Sequence, residues 1–206
     1  VGPMLGVNTH GAYAEFIRVP QNLVFKIPNS LDFRKAAYTE PVAASLAVLE
    51  APIKKNQKGI IIGSSRIATL THRLMRLSGF RSVRIVTPLA LRAIPDNSCD
   101  FAIETLVNEE IFAEMVRIVK PKGVIVLKSR QHIPAPLSVA AVVKKDLTLR
   151  GTHYGSFKKA IALMAENAVK VDDILGPVLS LEEGVRILQS GGWEQGNRKI
   201  FFTAHS

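Results

Sequence analysis

The sequence contains one cysteine, Cys99, among its 206 residues. A single cysteine can form neither an intrachain disulfide bond nor a zinc site built from several thiolates. The lone cysteine therefore excludes a disulfide-stapled domain, and we expect a reducing, cytoplasmic setting. We expect Cys99 itself to act as a small, partly buried hydrophobe.

Long apolar runs are missing as well. The longest, such as Gly59–Gly63 and Val139–Val143, fall far short of the roughly 20 residues that a membrane-spanning helix needs. Residues 1–20 show no basic segment followed by an apolar core, so no signal peptide is expected. The composition, 47% hydrophobic and 21% charged, is typical of an ordinary globular domain. We therefore expect no membrane partner.

Acidic residues are absent between Glu50 and Asp96, where nine lysines and arginines lie, and the whole chain has a formal net charge of +10. A basic segment of this kind suggests an anionic ligand, such as a nucleotide or another small molecule, although a solvated basic face is the alternative. The segment has one aromatic residue, Phe80. It therefore lacks the stacking platform of a single-strand binder, and nucleic acid is not the expected partner.

Strand and helix patterns alternate from Lys58 onward. Such alternation predicts an α/β fold in which helices cover both faces of a mostly parallel, doubly wound sheet. The patterns predict strands at Ile60–Ile62, Val83–Val86, Phe101–Ile103, Val124–Leu127, Leu147–Leu149 and Ile200–Phe202, and helices at Ile67–Leu77, Glu109–Val119, Phe157–Ala165 and Leu181–Leu188.

The part of the chain before Lys58 has a different pattern. Residues 12–19 and 22–27 are rich in β-forming side chains and predict two short strands joined by Pro20-Gln21. Asp32 is placed to cap a short helix, and Pro41 to begin a second helix over Val42–Leu49.

Residues 58–68, KGIIIGSSRIA, predict a buried strand, a tight turn and a helix. A dinucleotide-binding turn of the form G-x-G-x-x-G/A uses its first glycine for the turn, its second for close approach to the pyrophosphate and its third for helix packing. Gly63 matches the first position and Ala68 the third, whereas Ser65 stands at the second. The helix N-terminus, Arg66 and the hydroxyls of Ser64 and Ser65 could still bind an anion, in a different pose.

The segment after the strand Val83–Val86 departs from the same pattern. An acid that would bind the ribose hydroxyls is expected about 20 residues after the turn, but the strand ends in Thr87-Pro88. Arg84 and Arg92 lie nearby, which favours NADP over NAD. Only Pro88–Cys99 separates this strand from the next, enough for one helical turn at Leu89–Ile94 but not for another strand. We therefore predict a sheet that lacks its outer strand beside Val83–Val86.

Three stretches resemble the zinc-type medium-chain alcohol, polyol and threonine dehydrogenases. They are residues 11–49, with the Glu40-Pro41 pair, residues 58–79 at the first cofactor strand and helix, and residues 144–191 at the edge strand and the return helix. The resemblance covers most of the chain and implies a shortened, degenerate member with a Rossmann-like sheet. It implies that residues 1–51 are a remnant of the barrel-like (GroES-like) catalytic domain with linking helices, 52–180 the nucleotide-binding domain, and 181–206 the return helix and strand.

The resemblance also implies site residues and an assembly. Subunits of the family pair through the strand that matches Leu147–Leu149, so we expect a homodimer. Glu40 is the one residue carried over to the family's zinc neighbourhood and the one catalytic candidate, but a lone carboxylate makes a weak metal site, so no zinc is expected. Arg198 or Lys199 falls where the family often places a basic residue toward the pyrophosphate. The expected cofactor-binding residues are Gly63, Ser64, Ser65, Arg66, Ile67, Thr87, Thr105 and Arg198.

Three functions are consistent with these features. By lineage we expect an NAD(P)-dependent oxidoreductase of small alcohols, polyols or amino-alcohols. For these 206 residues acting alone, the altered turn and the missing zinc ligands favour a catalytically silent, dimeric binding or scaffold protein. Residues 94–127 also resemble the late half of an S-adenosylmethionine-dependent methyltransferase, which is the third alternative. His153 and Tyr154 follow the strand Leu147–Leu149, where loops of an open sheet meet ligands.

Overall fold

The structure is a computed structural model and describes residues 5–130, 134–190 and 198–203. It contains seven strands and seven α-helices in these ranges. The strands are β1 (Gly59–Ile62), β2 (Val83–Val86), β3 (Cys99–Glu104), β4 (Val119–Leu127), β5 (Thr148–Gly151), β6 (Leu175–Ser180) and β7 (Lys199–Thr203). The helices are α1 (Phe33–Ala36), α2 (Thr39–Leu46), α3 (Arg66–Leu77), α4 (Glu109–Ile118), α5 (Val139–Lys144), α6 (Phe157–Ala165) and α7 (Leu181–Ser190).

The first five strands form one parallel sheet in the order β2-β1-β3-β4-β5. Ile61 of β1 lies between Ile85 of β2 and Ile103 of β3, so the chain leaves β1 in one direction and returns on its other side. This reversal of strand order creates the crevice in which open α/β sheets bind ligands. The predicted α/β fold with a Rossmann-like parallel sheet is confirmed.

The sheet ends at β2, as the short crossover predicted. The segment Pro88–Ala93 forms a 3-10 helix between β2 and β3. Within the described ranges no strand pairs with the outer side of β2, so this margin of the sheet is one strand short of the six-stranded dinucleotide fold.

Helices cover both faces of this sheet. On one face, Ile61, Phe101 and Val124 pack against residues of α3 and the segment after α2. On the other face, Ala102 and Ile125 pack against α4 and the 3-10 helix Pro88–Ala93. Strands buried on both sides read as continuous apolar runs, which explains the three isoleucines of β1.

The ends of α3 follow local rules that the sequence shows. Ser65 occupies the N-cap position, and its Oγ accepts from the backbone N–H of Ala68 at 3.5 Å. Gly79 follows the last turn with φ of 95°, a conformation that glycine adopts without steric cost. Gly59 at the start of β1 has no room for a side chain, because an ideal Cβ would lie 2.1 Å from the Phe101 ring.

A lysine from the β4–β5 crossover closes the end of α4. The Lys145 ammonium donates to the carbonyl oxygens of Val116, Arg117 and Val119 at 2.6, 3.0 and 2.7 Å. The last carbonyls of a helix have no partner within it, so this side chain satisfies groups that would otherwise be unpaired.

The prediction of strands at residues 12–19 and 22–27 is wrong. The segment is irregular apart from a 3-10 turn at Gln21–Leu23, and Phe16 is 87% exposed. A strand needs a partner for its backbone hydrogen bonds, and no strand of the described chain pairs with this segment. The second predicted helix begins earlier than expected, at Thr39, and continues past Leu46 as a 3-10 turn, Ala47–Glu50.

Strand β6 and helix α5 were not predicted, and the start of β5 was predicted one residue too early. Strand β6 pairs in parallel with β7 in a separate two-stranded sheet, and α5 lies between β4 and β5. Strand β5 begins at Thr148, one residue after the predicted start. No helix in the described ranges is long and apolar enough to cross a membrane.

Candidate functional site

The turn after β1 is the centre of the candidate site. Gly63 has φ of 134°, and an ideal Cβ on it would lie 2.2 Å from Oγ1 of Thr105. The Thr105 hydroxyl in turn donates to the carbonyl oxygen of Ile62 at 2.9 Å. Gly63 is therefore required by both its backbone conformation and its neighbour.

The N-terminus of α3 adds positive charge to this turn. Arg66 is the first residue of the helix, where unpaired N–H groups favour anions. Burial lowers the pKa of the Lys199 ammonium, with Glu40 opposing and Arg66 reinforcing the shift, so these charges lie close enough to interact. Lys199 donates to the carbonyl oxygen of Ala37 at 2.7 Å. The structure thus brings Lys199 near Arg66.

Four of the remaining predicted cofactor residues lie around this turn: Ser64, Ser65, Ile67 and Thr87. Ser64 is exposed, while Ser65 and Ile67 in the turn and first helical residues are half-buried. Thr87 is exposed at the end of β2. Arg198 is exposed, and it lies near enough to Asp173 to lower the pKa of that carboxyl, after the larger effect of Arg73.

The arginines that favoured NADP lie on the β2 side of the site. Arg92 forms an ion pair with Glu110 at 2.5 Å, and Arg84 is exposed on β2. An exposed ion pair is weak and easily exchanged, so the pair with Glu110 does not prevent Arg92 from meeting a phosphate.

A buried glutamate joins the ends of β3 and β4. Glu104 is completely buried, and its Oε1 accepts the backbone N–H groups of Lys128 and Ser129 at 2.6 and 2.9 Å. Its Oε2 and the Ser129 hydroxyl are buried polar atoms without a hydrogen-bond partner in the described structure. Because a buried carboxylate is costly unless it is bonded, this contact fixes the loop after β4 relative to the cleft.

A second polar cluster lies at the ends of β4 and β5, against α2. The Tyr154 hydroxyl donates to Oε1 of Glu40 at 2.7 Å, and Arg130 reaches the same oxygen at 3.3 Å. Arg130 also donates to the Tyr154 hydroxyl at 2.9 Å, and its guanidinium lies 4.8 Å from the centre of the Tyr154 ring. These contacts join three elements that are distant in sequence.

The same cluster contains a histidine and a second cation. A guanidinium only donates, so Nε2 of His153, 3.3 Å from Arg130, is the acceptor and Nδ1 carries the proton. Burial, then the charges of Arg130 and Lys128, lower the pKa of His153. Lys128 is 5% exposed and donates to the His153 carbonyl at 3.0 Å. Burial lowers the pKa of Lys128 as well. Two cations, Arg130 and Lys128, thus lie beside His153, and the carboxylates of Glu40 and Glu104 oppose the burial effect on Lys128.

Glu40 does not gather a zinc ligand set among the described residues. No group of three His, Cys, Asp or Glu side chains comes together there that could hold a metal ion. Oε1 of Glu40 already accepts from Tyr154 and Arg130. The donor set thus does not fit a catalytic zinc, which needs three protein ligands. That the chain binds no zinc stays a prediction.

Two apolar grooves lie away from the strand ends. One, of about 440 Å³, lies between α4 and α5, and another, of about 630 Å³, lies between the N-terminal segment and the β6–β7 sheet. The first has few polar groups, and the second adjoins the candidate site through Lys199, which lines it with Arg34. The ends of β1, β3, β4 and β5 bring more polar groups together. We therefore place the candidate site at the strand ends.

Sequence reasoning found part of this site. It identified the turn at Gly63, Glu40, His153 and Tyr154, but missed Glu104 and the residues after β4. The available signal was a charged residue at the end of a buried apolar strand. Glu104 ends the run CDFAIE, and Lys128 follows the run VIVL. Because parallel strands end at one edge, such charges meet there.

Comparisons with known proteins bear on this site. No protein-family model matches the chain. The chain is 20% identical over 207 residues to D-xylulose reductase A of Aspergillus oryzae, an alignment covering 84% of this chain and 58% of that protein. The chain thus spans less than two thirds of the length of this curated relative.

Solved structures share the fold. One from Sinorhizobium meliloti 1021, assigned as a zinc-binding dehydrogenase and bound to NADP, matches with a TM-score of 0.83 at 24% identity, over 96% of this chain and 67% of the other. An alcohol dehydrogenase from Escherichia coli CFT073 in complex with NADH matches with a TM-score of 0.81 at 15% identity, over 98% and 68%. The chain is similar to zinc-type medium-chain alcohol and polyol dehydrogenases over most of its length, at low identity, as the resemblance predicted.

Proposed function

We propose that this chain is the nucleotide-binding part of an NAD(P)-dependent oxidoreductase that acts on small polyols or the corresponding ketoses. The observation that carries the proposal is the turn at Gly63. It lies where strand order reverses, and a side chain at Gly63 would collide with Thr105. The D-xylulose reductase and the cofactor-bound neighbours support the same proposal, and these comparisons do not favour a methyltransferase or a silent binding protein.

The residues present fit the pyrophosphate of a dinucleotide. Gly63 adopts the positive φ of the turn after β1, and the N-terminus of α3 supplies N–H groups. Arg66 and Lys199 would offset the phosphate charge. When bound, the nicotinamide would accept or donate the hydride at the substrate carbon. The chain's own residues bind and orient the cofactor, and Glu104 holds the loop after β4 in place beside it.

The residues at the end of β2 determine whether the site prefers NADH or NADPH. Thr87 stands where an acid would hold the ribose hydroxyls and repel a 2′-phosphate. Without that acid, and with Arg84 and Arg92 nearby, NADPH should bind at least as tightly as NADH.

Titration of NADH and NADPH by fluorescence or calorimetry tests the proposal. We expect binding at micromolar concentrations, and no binding at millimolar concentrations would overturn it. Ser65→Gly restores the second glycine, so the backbone can approach the pyrophosphate more closely. This should tighten cofactor binding by about three- to tenfold, as expected for one additional hydrogen bond from the backbone. Arg66→Gln should weaken it by about 10- to 100-fold, as expected for a hydrogen bond to a charged group. Arg81→Gln is the matched control for a lost charge, because Arg81 is exposed and precedes β2, at the edge of the sheet opposite the strand ends.

Turnover is tested separately, by the oxidation of NADPH with D-xylulose. Metal analysis of the purified protein accompanies this assay, and stoichiometric zinc would contradict the prediction that the chain binds none. Cofactor binding without turnover would favour the binding-protein alternative for these 206 residues.

We also propose a homodimer through β5, in a cytoplasmic setting. All four residues of β5 are exposed at the margin of the sheet, and Val139 and Val143 of the neighbouring α5 are 69% and 71% exposed. An unpaired edge with apolar neighbours favours self-association. Sedimentation should detect a dimer that Leu149→Lys weakens, and a monomer at all concentrations would refute it.

A further inference from the structure

We propose that Arg130 binds an anionic group of the substrate, so that the preferred substrate is a polyol or keto sugar with a terminal carboxylate or phosphate. This inference rests on the proposed function and specifies its substrate class. It is based on the position, contacts and charge of the cluster around Arg130.

The position of Arg130 is the first argument. It follows β4 at the carboxyl edge of the sheet, on the far side of the reversal point from β2. The turn at Gly63 would hold the pyrophosphate, and a dinucleotide extends across the crevice on both sides of it. A substrate on the β4 side would therefore meet the residues after β4 and β5, which are Arg130 and Tyr154.

The contacts of Arg130 are the second argument. Tyr154 holds the guanidinium by a hydrogen bond and by its ring face, which fixes the orientation of the group. The contact with Glu40, at 3.3 Å, is longer than the roughly 2.7–2.9 Å of a strong charge-assisted bond. A guanidinium also has more N–H donors than the three described contacts to Tyr154, His153 and Glu40 use. Since the Arg130 side chain is 43% exposed, it can present donors to a ligand.

The charge of the surroundings is the third argument. Glu40 is the one carboxylate with a described contact to Arg130, and it shares the oxygen involved with Tyr154. Lys128 lies close by, buried, with a backbone carbonyl as its described side-chain acceptor. The oxygen of Glu104 that faces this loop is occupied by two backbone N–H groups. An anion bound at Arg130 would therefore meet the guanidinium directly, with Lys128 close by and the charges of Glu40 and Glu104 partly offsetting that of Lys128. A planar carboxylate or a phosphate matches the guanidinium fork.

The alternative is that Arg130 forms only a structural ion pair with Glu40 and binds no ligand. A pair with both side chains more than two-fifths exposed contributes only about 0–1 kcal/mol to stability. Arg130→Gln should consequently fold as the unchanged chain does, so its effect on binding can be measured directly. Arg81 is also exposed, before the start of β2 and away from the cluster, and Arg81→Gln serves as the matched control.

The test is a calorimetric titration of the full chain with xylitol, xylonate and xylulose 5-phosphate, each in the presence of saturating NADPH and in its absence. We expect at least one of the two anions to bind at least tenfold more tightly than xylitol. Comparison of xylonate with xylulose 5-phosphate then shows whether Arg130 prefers a carboxylate or a phosphate. Arg130→Gln should remove about 10- to 100-fold of this affinity, as for a hydrogen bond to a charged group, and leave xylitol binding unchanged. Arg130→Lys should recover only part of it, because a lysine lacks the planar fork.

Two results would overturn the inference. One is that neither anion binds more tightly than xylitol. The other is that Arg130→Gln and Arg81→Gln have equal effects, which would mean non-specific attraction by a basic protein. If NADPH binds but the anions show no preference, only the substrate class is refuted. If NADPH does not bind, the proposed function itself is refuted.

Discussion

Replacement of Gly63 by alanine tests whether the turn after β1 is built around Thr105. The backbone conformation at Gly63, with φ of 134°, should cost an alanine about 1–3 kcal/mol. The new Cβ would also lie 2.2 Å from Oγ1 of Thr105. To make room, Thr105 must leave its rotamer, at about 0.5–1.5 kcal/mol, and release its hydrogen bond to Ile62, at about the same cost. We expect a total loss of about 2–6 kcal/mol.

A double-mutant cycle separates the two contributions. In Thr105→Ala the hydroxyl is absent, and the distance from the new Cβ of residue 63 to the Cβ of residue 105 is 3.6 Å, an ordinary contact. The collision then disappears while the backbone strain remains, so the two substitutions should couple by about 1–3 kcal/mol. Urea unfolding followed by circular dichroism measures each variant. Gly151→Ala is the control, because nothing lies within 4 Å of its ideal Cβ.

The reasoning about this turn would be refuted in two ways. If the cost of Gly63→Ala is the same with and without the Thr105 hydroxyl, within about 0.5 kcal/mol, the contact is not what excludes a side chain. If Gly63→Ala and Gly151→Ala lower the free energy of unfolding equally, neither the contact with Thr105 nor the backbone conformation excludes a side chain at position 63. A parallel NADPH titration shows whether the same substitution closes the proposed pyrophosphate site.

Three further substitutions test other parts of the structure. Glu104→Ala should cost about 2–5 kcal/mol in urea unfolding, because two buried N–H groups after β4 lose their acceptor, whereas Glu104→Gln keeps an acceptor and should cost less. The hydrogen bond from Lys120 lowers the pKa of Asp100, so the stabilisation is present above the unfolded pKa near 4 and is lost as the pH falls through the lower folded pKa. Asp100→Asn should therefore be less stable than the unchanged chain at pH 7, and the difference should shrink as the pH falls below about 4. A difference that stays the same as the pH falls would contradict this. Asp32→Ala removes the acceptor for the N–H of Lys35 and should lower the unfolding free energy by about 0.5–2 kcal/mol, while Asp32→Asn should not.

The strand–helix alternation after Lys58 was predictable because the local signals there agree with the tertiary environment. Buried parallel strands read as apolar runs, and Ser78-Gly79 marks the end of α3. The segment 12–27 has equally strong β-forming side chains but no partner strand in the described fold. Strand formation depends on pairing that lies outside the segment, so its sequence misleads.

The candidate site was only partly predictable for a related reason. Gly63 and Ser65 belong to one continuous turn, so a sequence pattern can identify them. Glu40, Arg130 and Tyr154 come together only when α2 packs against the ends of β4 and β5. Their spacing in the sequence carries no signal of that contact, whereas the rule that parallel strands end at one edge would have placed the last two together.

The ammonium of Lys145 at the end of α4 has a consequence for local opening of the molecule. Its three carbonyl acceptors lie on α4 and the first residue of β4, while its own backbone belongs to the crossover before β5. The last turn of the helix therefore cannot fray without releasing the crossover, and hydrogen–deuterium exchange should show the two segments opening together. Acetylation of this amine would uncouple them, so that amide protection falls in both segments while the centre of the sheet keeps its slow exchange.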